Sequence, residues 1–215
     1  MILKRIKVKT NITDLTNCYI VVDDETKETI VIDPGGDSEH IIEMLDVLEA
    51  KLKYIYLTHC HADHIGAVNE IKNKKGGVVL IHRFDSEGLN NKEINLSEIT
   101  ENQTIELTAD SRLDDGDLIH IGNLEFKVLY TPGHTKGSSS LYCEKEGLVF
   151  SGDTIFRGTW GRTDLPTSSF EDIIDSITKK ILVLPEDTIV YPGHGKSTKI
   201  EYEKPIYLEL KPSLE

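Results

Sequence analysis

A chain of 215 residues with 37 acidic and 24 basic side chains carries a formal net charge of −13, which argues against nucleic acid as a substrate, because enzymes acting on phosphodiester backbones usually present a basic stripe. It is long enough to bury a sizeable core, and no Pro-, Gly- or Ser-rich tract divides it, so residues 1–215 are expected to form a single domain. No apolar run approaches a membrane span, and Cys18, Cys60 and Cys143 form no disulfide or zinc framework, so the expectation is a cytoplasmic protein with no membrane partner.

Met1 to Val8 alternates apolar and basic residues in the manner of a strand rather than a signal-peptide core. Strands are predicted over Asn17–Val22 and Thr29–Ile32, the second stopped by Asp33-Pro34-Gly35-Gly36. An amphipathic helix is predicted from Ser38 to Ala50, a buried strand over Tyr54–Leu57, a helix from Ile65 to Lys74 ended by Gly76-Gly77, and a strand over Val78–Ile81. Residues 83–112 are the least regular stretch, read as a loop with short elements that is either a substrate lid or a solvated insertion. Strands then recur at 117–121, 124–130, 138–143 and 147–150, followed by a helix over Ser169–Lys180 and a strand at 188–191. The two halves therefore look alike, and mixed strands with polar-faced helices imply an α/β fold of two sheets packed together with helices outside.

Directly after Tyr54–Leu57 comes Thr58-His59-Cys60-His61-Ala62-Asp63-His64. Histidines at i and i+2 on a chain leaving a strand put His59 and His61 on one side, and Asp63 and His64 can face a second ion. The alternative is a chance cluster in which Asp63 caps the following helix. Three further segments lie where an apolar run stops in a turn: Tyr130-Thr131-Pro132-Gly133-His134, Ser151-Gly152-Asp153-Thr154 and Tyr191-Pro192-Gly193-His194. Pro and Gly ahead of a histidine make a tight turn that aims the ring away from its strand. Each turn is weak evidence alone; in this order after the histidine block they suggest a two-metal site.

On these residues, and on the stretch from Gly152-Asp153-Thr154 to Gly161-Arg162-Thr163-Asp164, the chain resembles the metallo-β-lactamase-fold hydrolases and, within them, the glyoxalase II-like branch. The resemblance implies an αββα sandwich with His59, His61 and His134 on one metal, Asp63, His64 and His194 on the other, and Asp153 bridging. It implies two divalent ions, with zinc the first choice and iron or manganese the alternatives. One class of true β-lactamases places a cysteine where this chain has Asp153, which speaks against antibiotic hydrolysis. The short stretch after His194 has no counterpart to the helical region with which glyoxalase II enzymes clasp glutathione, so recognition of the thiol is expected to be broad.

Two ions can share a hydroxide that attacks a carbonyl at neutral pH, and thioesters suit this because a thiolate departs without a strong acid. The expected function is hydrolysis of a small thioester such as an acylglutathione, with Asp63 orienting the hydroxide. The alternatives are a persulfide dioxygenase, which by resemblance would hold one iron on His59, His134 and Asp153, and a non-catalytic metal-binding module. Arg162 either binds a substrate carboxylate or braces its loop on Asp164. Cys60 alternates away from the ligands and is read as a small buried residue. Asp33 is read as a turn or supporting residue, His40, His82 and His120 as surface or satisfied histidines, and Phe156 and Trp160 as pocket walls or packing beneath it.

Overall fold

The computed structural model describes residues 1–10, 15–99 and 105–210, with residues 99 and 208–210 through their backbone. Its first half is a mixed six-stranded sheet: β1 (Ile2–Val8), β2 (Thr16–Val22), β3 (Glu28–Ile32), β4 (Lys51–Leu57), β5 (Val78–His82) and β6 (Ser111–Leu113), in that spatial order. β1 to β3 run antiparallel and β3 to β6 parallel. The connections of the parallel part carry α1 (Ser38–Val47), α2 (Ala62–Ile65) and α3 (Val68–Lys75). The second half begins with β7 (Leu118–Ile121), β8 (Leu124–Tyr130), β9 (Ser139–Cys143) and β10 (Leu148–Gly152), which pair antiparallel in sequence. A hairpin of β11 (Ile155–Phe156) and β12 (Thr159–Trp160) follows, then α4 (Phe170–Ser176), β13 (Ile189–Pro192) parallel to β10, β14 (Thr198–Lys199) and α5 (Ile200–Leu210).

Strand periodicity explains why this makes four layers. In β2, Cys18, Ile20 and Val22 join one core under α1 and α3, while Tyr19 and Val21 join another between the sheets. β10 repeats the pattern: Leu148 and Phe150 face the inter-sheet core and Val149 faces a third, formed with Ile173, Ile177 and Tyr207 of the outer helices. Strands buried on both faces read as apolar throughout, with alternate side chains serving different cores. The expected αββα sandwich is the observed fold. Among the described residues no helix is long and apolar enough to cross a membrane.

The local differences from the sequence expectation have identifiable causes. The helix predicted to reach Ala50 stops at Val47, because Glu49 turns left-handed (φ 54°) and Ala50 N–H closes back on Leu45 O at 2.9 Å. The helix predicted over 65–74 is two pieces. It begins at Ala62 and breaks at Gly66-Ala67, where the Gly35 carbonyl lies so close that a Cβ on Gly66 would overlap it, and Ala67 N–H donates to Pro34 O (2.9 Å) instead of continuing the helix. Asp63 therefore sits inside α2 and not at its cap. The irregular stretch 83–112 contains three short 3-10 turns among its described residues and ends in β6, an edge strand too short for periodicity to reveal. Within the predicted helix over Ser169–Lys180, the α-helix ends at Ser176 and a π-helical turn carries on through Ile181.

Candidate metal centre

The end of β4 supplies the first group. Asp33, at the end of β3 and in a left-handed conformation (φ 51°), accepts from Thr58 N–H at 2.8 Å, from the Thr58 hydroxyl at 2.7 Å and from His64 Nδ1 at 3.0 Å. With its proton committed to Asp33, the Thr58 hydroxyl accepts from His59 Nδ1 (3.0 Å). That fixes the tautomer: His59 Nε2 and His64 Nε2 are left as the basic nitrogens. His59 Nε2 is buried and has no hydrogen-bond partner among the described residues. Such an orphaned lone pair is costly unless something electropositive meets it.

The second sheet brings its side chains by separate turns. His134 Nδ1 donates to the Arg162 carbonyl at 2.9 Å, which frees its Nε2. His194 Nδ1 lies 3.3 Å from Leu15 O, and a bridge between Thr16 and His194, with Asn17 N–H on Gly193 O (2.7 Å), ties this turn to the first sheet. Gly193 is required here: a Cβ would overlap Asp153 Oδ1 and crowd His64 Cε1.

All seven predicted side chains meet in one place, in three overlapping groups: His59, His61 and His134; His59, His64 and Asp153; Asp63, His64 and His194. His61 Nδ1 is 2.9 Å from His134 Nε2. His194 Nε2 is 3.3 Å from His64 Nε2 and 3.2 Å from Asp63 Oδ2. Ligand nitrogens on a tetrahedral zinc stand about 3.3 Å apart, so the second set has the spacing of a shared ion, while the two rings of the first converge at a shorter, hydrogen-bond distance. Asp153 lies between them, with Oδ1 at 3.5 Å from His64 and Oδ2 at 3.6 Å from His134 and 3.4 Å from His194. Burial, reinforced by the neighbouring imidazoles, holds His59 and His61 well below the usual histidine range, in the neutral form that ligates. Burial also works against charge on His64, but with no ion bound the carboxylates of Asp63, Asp153 and Asp33 raise it to about 10, so the proton on its Nε2 stands where a cation would bind. Asp63 is pushed up by burial and pulled down harder by His64 and His194, which hold it ionised. Imidazole and carboxylate donors, buried and partly unpartnered, fit borderline divalent ions.

Residues 12–194 match the sequence model of a family described as the metallo-beta-lactamase superfamily. The chain belongs to that superfamily. It is 35% identical to the hydroxyacylglutathione hydrolase GloC of Haemophilus influenzae, over 87% of this chain and 89% of that protein. Among solved structures it is similar to BLEG-1, described as a B3 metallo-beta-lactamase (37% identity, TM-score 0.88, 95% of this chain and 97% of the other). It is also similar to ETHE1 from Myxococcus xanthus (26% identity, TM-score 0.77, 100% and 91%). Superfamily membership makes the coarse reading a metal-dependent hydrolase acting on a small molecule.

In this metallo-beta-lactamase fold the clustered side chains open into a cavity of about 310 Å³ whose remaining walls are Leu96, Phe156, Trp160, Arg162 and Leu165. Phe156 and Trp160 thus line the pocket. Arg162 reaches its rim but is forked onto Asp164, Nε to Oδ1 and Nη2 to Oδ2, both 2.9 Å. Cys60 is buried against Gly88, and burial pushes its thiol well above the usual range, consistent with a packing residue. His82 is buried and stacked on Tyr130, while His40 and His120 are exposed.

Three contributors were not foreseen. Thr16 donates to Asp63 Oδ2 at 3.2 Å. Asp85, buried, accepts from Cys60 N–H (3.0 Å) and from the Thr135 hydroxyl (2.6 Å), tying the His59–His61 segment to the His134 turn. Leu96 comes from the stretch read as irregular. Only the Asp85 position carried any signal, an acid three residues past the end of β5.

Proposed function

We propose that the protein is a metal-dependent hydrolase that cleaves a small thioester, as its GloC relative's name suggests for acylglutathiones. The observation that carries the reading is the three overlapping ligand-like groups, with Asp153 between His134 on one side and His64 and His194 on the other, and with the buried His59 Nε2 unpartnered among the described residues. In this reading His59, His61 and His134 hold one divalent ion, Asp63, His64 and His194 the other, and Asp153 both; zinc is favoured by the donor set, with iron or manganese as alternatives. Bound there, the two ions supply Lewis acidity and a water acidified into a nucleophile at neutral pH.

The chain's own residues do the rest. Ionised Asp63, steadied by Thr16, orients the attacking water, and Asp33 and Thr58 lock the rings that must not turn. The water oxygen bonds to the acyl carbon, and the C–S bond breaks with its electron pair on sulfur. The products are a carboxylic acid and a thiol. No protein nucleophile is required, which agrees with the inert Cys60. Arg162 keeps Nη1 outside its fork with Asp164 and is the group at the rim suited to a substrate anion. Residues 1–215 act as one domain in this reading, and the three buried, unbridged cysteines suit the reducing cytoplasm.

The resemblance to persulfide dioxygenases motivates a second reading, oxidation of a persulfide at one iron held by His59, His134 and Asp153. Similarity to BLEG-1 reopens β-lactam hydrolysis, which the carboxylate at 153 had spoken against. One experiment separates them. Metal content is measured on protein purified without added metal, and thiol release from thioesters, oxygen uptake with a persulfide and β-lactam opening are assayed in parallel. Thiol release with two ions per chain is expected. Oxygen uptake without thioester cleavage would select the oxidation, and binding without any turnover would leave a metal-binding module.

A further inference from the structure

Leu96 has a backbone that leucine rarely adopts. Its φ is 63°, in the left-handed region where a branched side chain is strained. Both flanks hold it there. The Asn95 side chain is buried and donates to Leu89 O (3.1 Å) and Ile105 O (3.3 Å), while its own oxygen accepts from Ser97 N–H (2.9 Å). The Asn95 carbonyl accepts from Ala62 N–H at 2.7 Å, in the middle of the ligand block, so the position of Leu96 is referenced directly to His61 and Asp63. Strain kept in place by so many bonds has one visible product, a leucine side chain in the cavity wall. There it joins Phe156, Trp160 and Leu165, and the cavity's single cation, Arg162, is already forked onto Asp164.

We propose that Leu96 is a specificity-determining residue that, with Phe156, Trp160 and Leu165, forms an apolar subsite for the hydrocarbon part of the substrate's acyl group. The proposal rests on the hydrolase reading for the identity of the acyl group, but the subsite itself can be tested without turnover. Apolar walls reward each buried methylene by about fourfold in affinity. A leaving thiol bearing carboxylates meets only the part of Arg162 left outside its fork with Asp164.

Trp160 is the only tryptophan of the chain, so its fluorescence reports occupancy. The zinc-loaded protein is titrated with straight-chain hydroxamates from two to six carbons. The expected result is tightening by about fourfold per methylene in the natural protein, with most of that gain lost in Leu96→Gly. Acetohydroxamate itself should bind both equally. Glycine takes a positive φ without strain, so the variant is expected to fold; Leu96→Asn, which also tolerates this conformation but is polar, is the second probe. Equal chain-length dependence in both variants and the natural protein, or none in the natural protein, overturns the proposal. If the dependence holds and the variants lose it while no thioester is cleaved, the subsite stands and the thioesterase reading falls. If thioesters are cleaved with no preference for apolar acyl groups, the subsite alone falls.

Discussion

The two sheets contribute to the centre by different means. The first delivers His59, His61, Asp63 and His64 from one strand end and the first turn of α2, held from behind by Asp33. The second delivers His134, Asp153 and His194 from three turns whose positions depend on contacts far apart in sequence: Asn17 on Gly193, Gly193 N–H on Gly152 O (2.8 Å), and Ser169 N–H on Gly133 O (2.8 Å). A compact block is set by local geometry. A dispersed set is only as good as the closures that assemble it, so damage to the second sheet's turns should be felt more at the metals than damage within the block that spares its ligands.

The largest effect is expected where the two contributions meet. Asp153→Ala removes the carboxylate that faces both groups; metal content should fall below two ions per chain and turnover by about a thousandfold, read by elemental analysis and steady-state assay. Full occupancy by two ions in that variant would sink the assignment of Asp153. Gly193→Ala should come next. Its methyl group overlaps Asp153 Oδ1 and crowds His64, so the position formed by Asp63, His64 and His194 should empty first, with about 1–3 kcal/mol lost from stability in thermal or urea unfolding. Cys60→Ala should do least. It lies inside the block but faces the core, so a loss of about 1 kcal/mol with turnover within about twofold is expected; a collapse of rate with metal content and fold intact would point to thiol chemistry.

Legibility followed the same division. The histidine block could be read because its four side chains fall within six positions after an apolar strand, and spacing is a local property. His134, Asp153 and His194 were legible as turns, but only their joint order and the resemblance linked them, since nothing near Gly193 in sequence tells that its backbone touches Asn17. The layers were legible from mixed strands with polar-faced helices and from the resemblance; that β2 and β10 serve a different core on each face came only with the structure. Short elements were not: β6 and β14 are too brief for periodicity, and the break at Gly66 is caused by the Gly35 carbonyl from another loop. Leu96 was out of reach, because its role comes from a backbone angle imposed by Asn95 and Ala62.

The most direct test is crystallographic. In crystals of the zinc-loaded protein, anomalous difference density collected at the zinc edge should show two peaks about 3.5–4 Å apart, one among His59, His61 and His134, the other among Asp63, His64 and His194, with the Asp153 carboxylate between them. A single peak at saturating zinc, or two peaks with Asp153 turned away from both, would contradict the account.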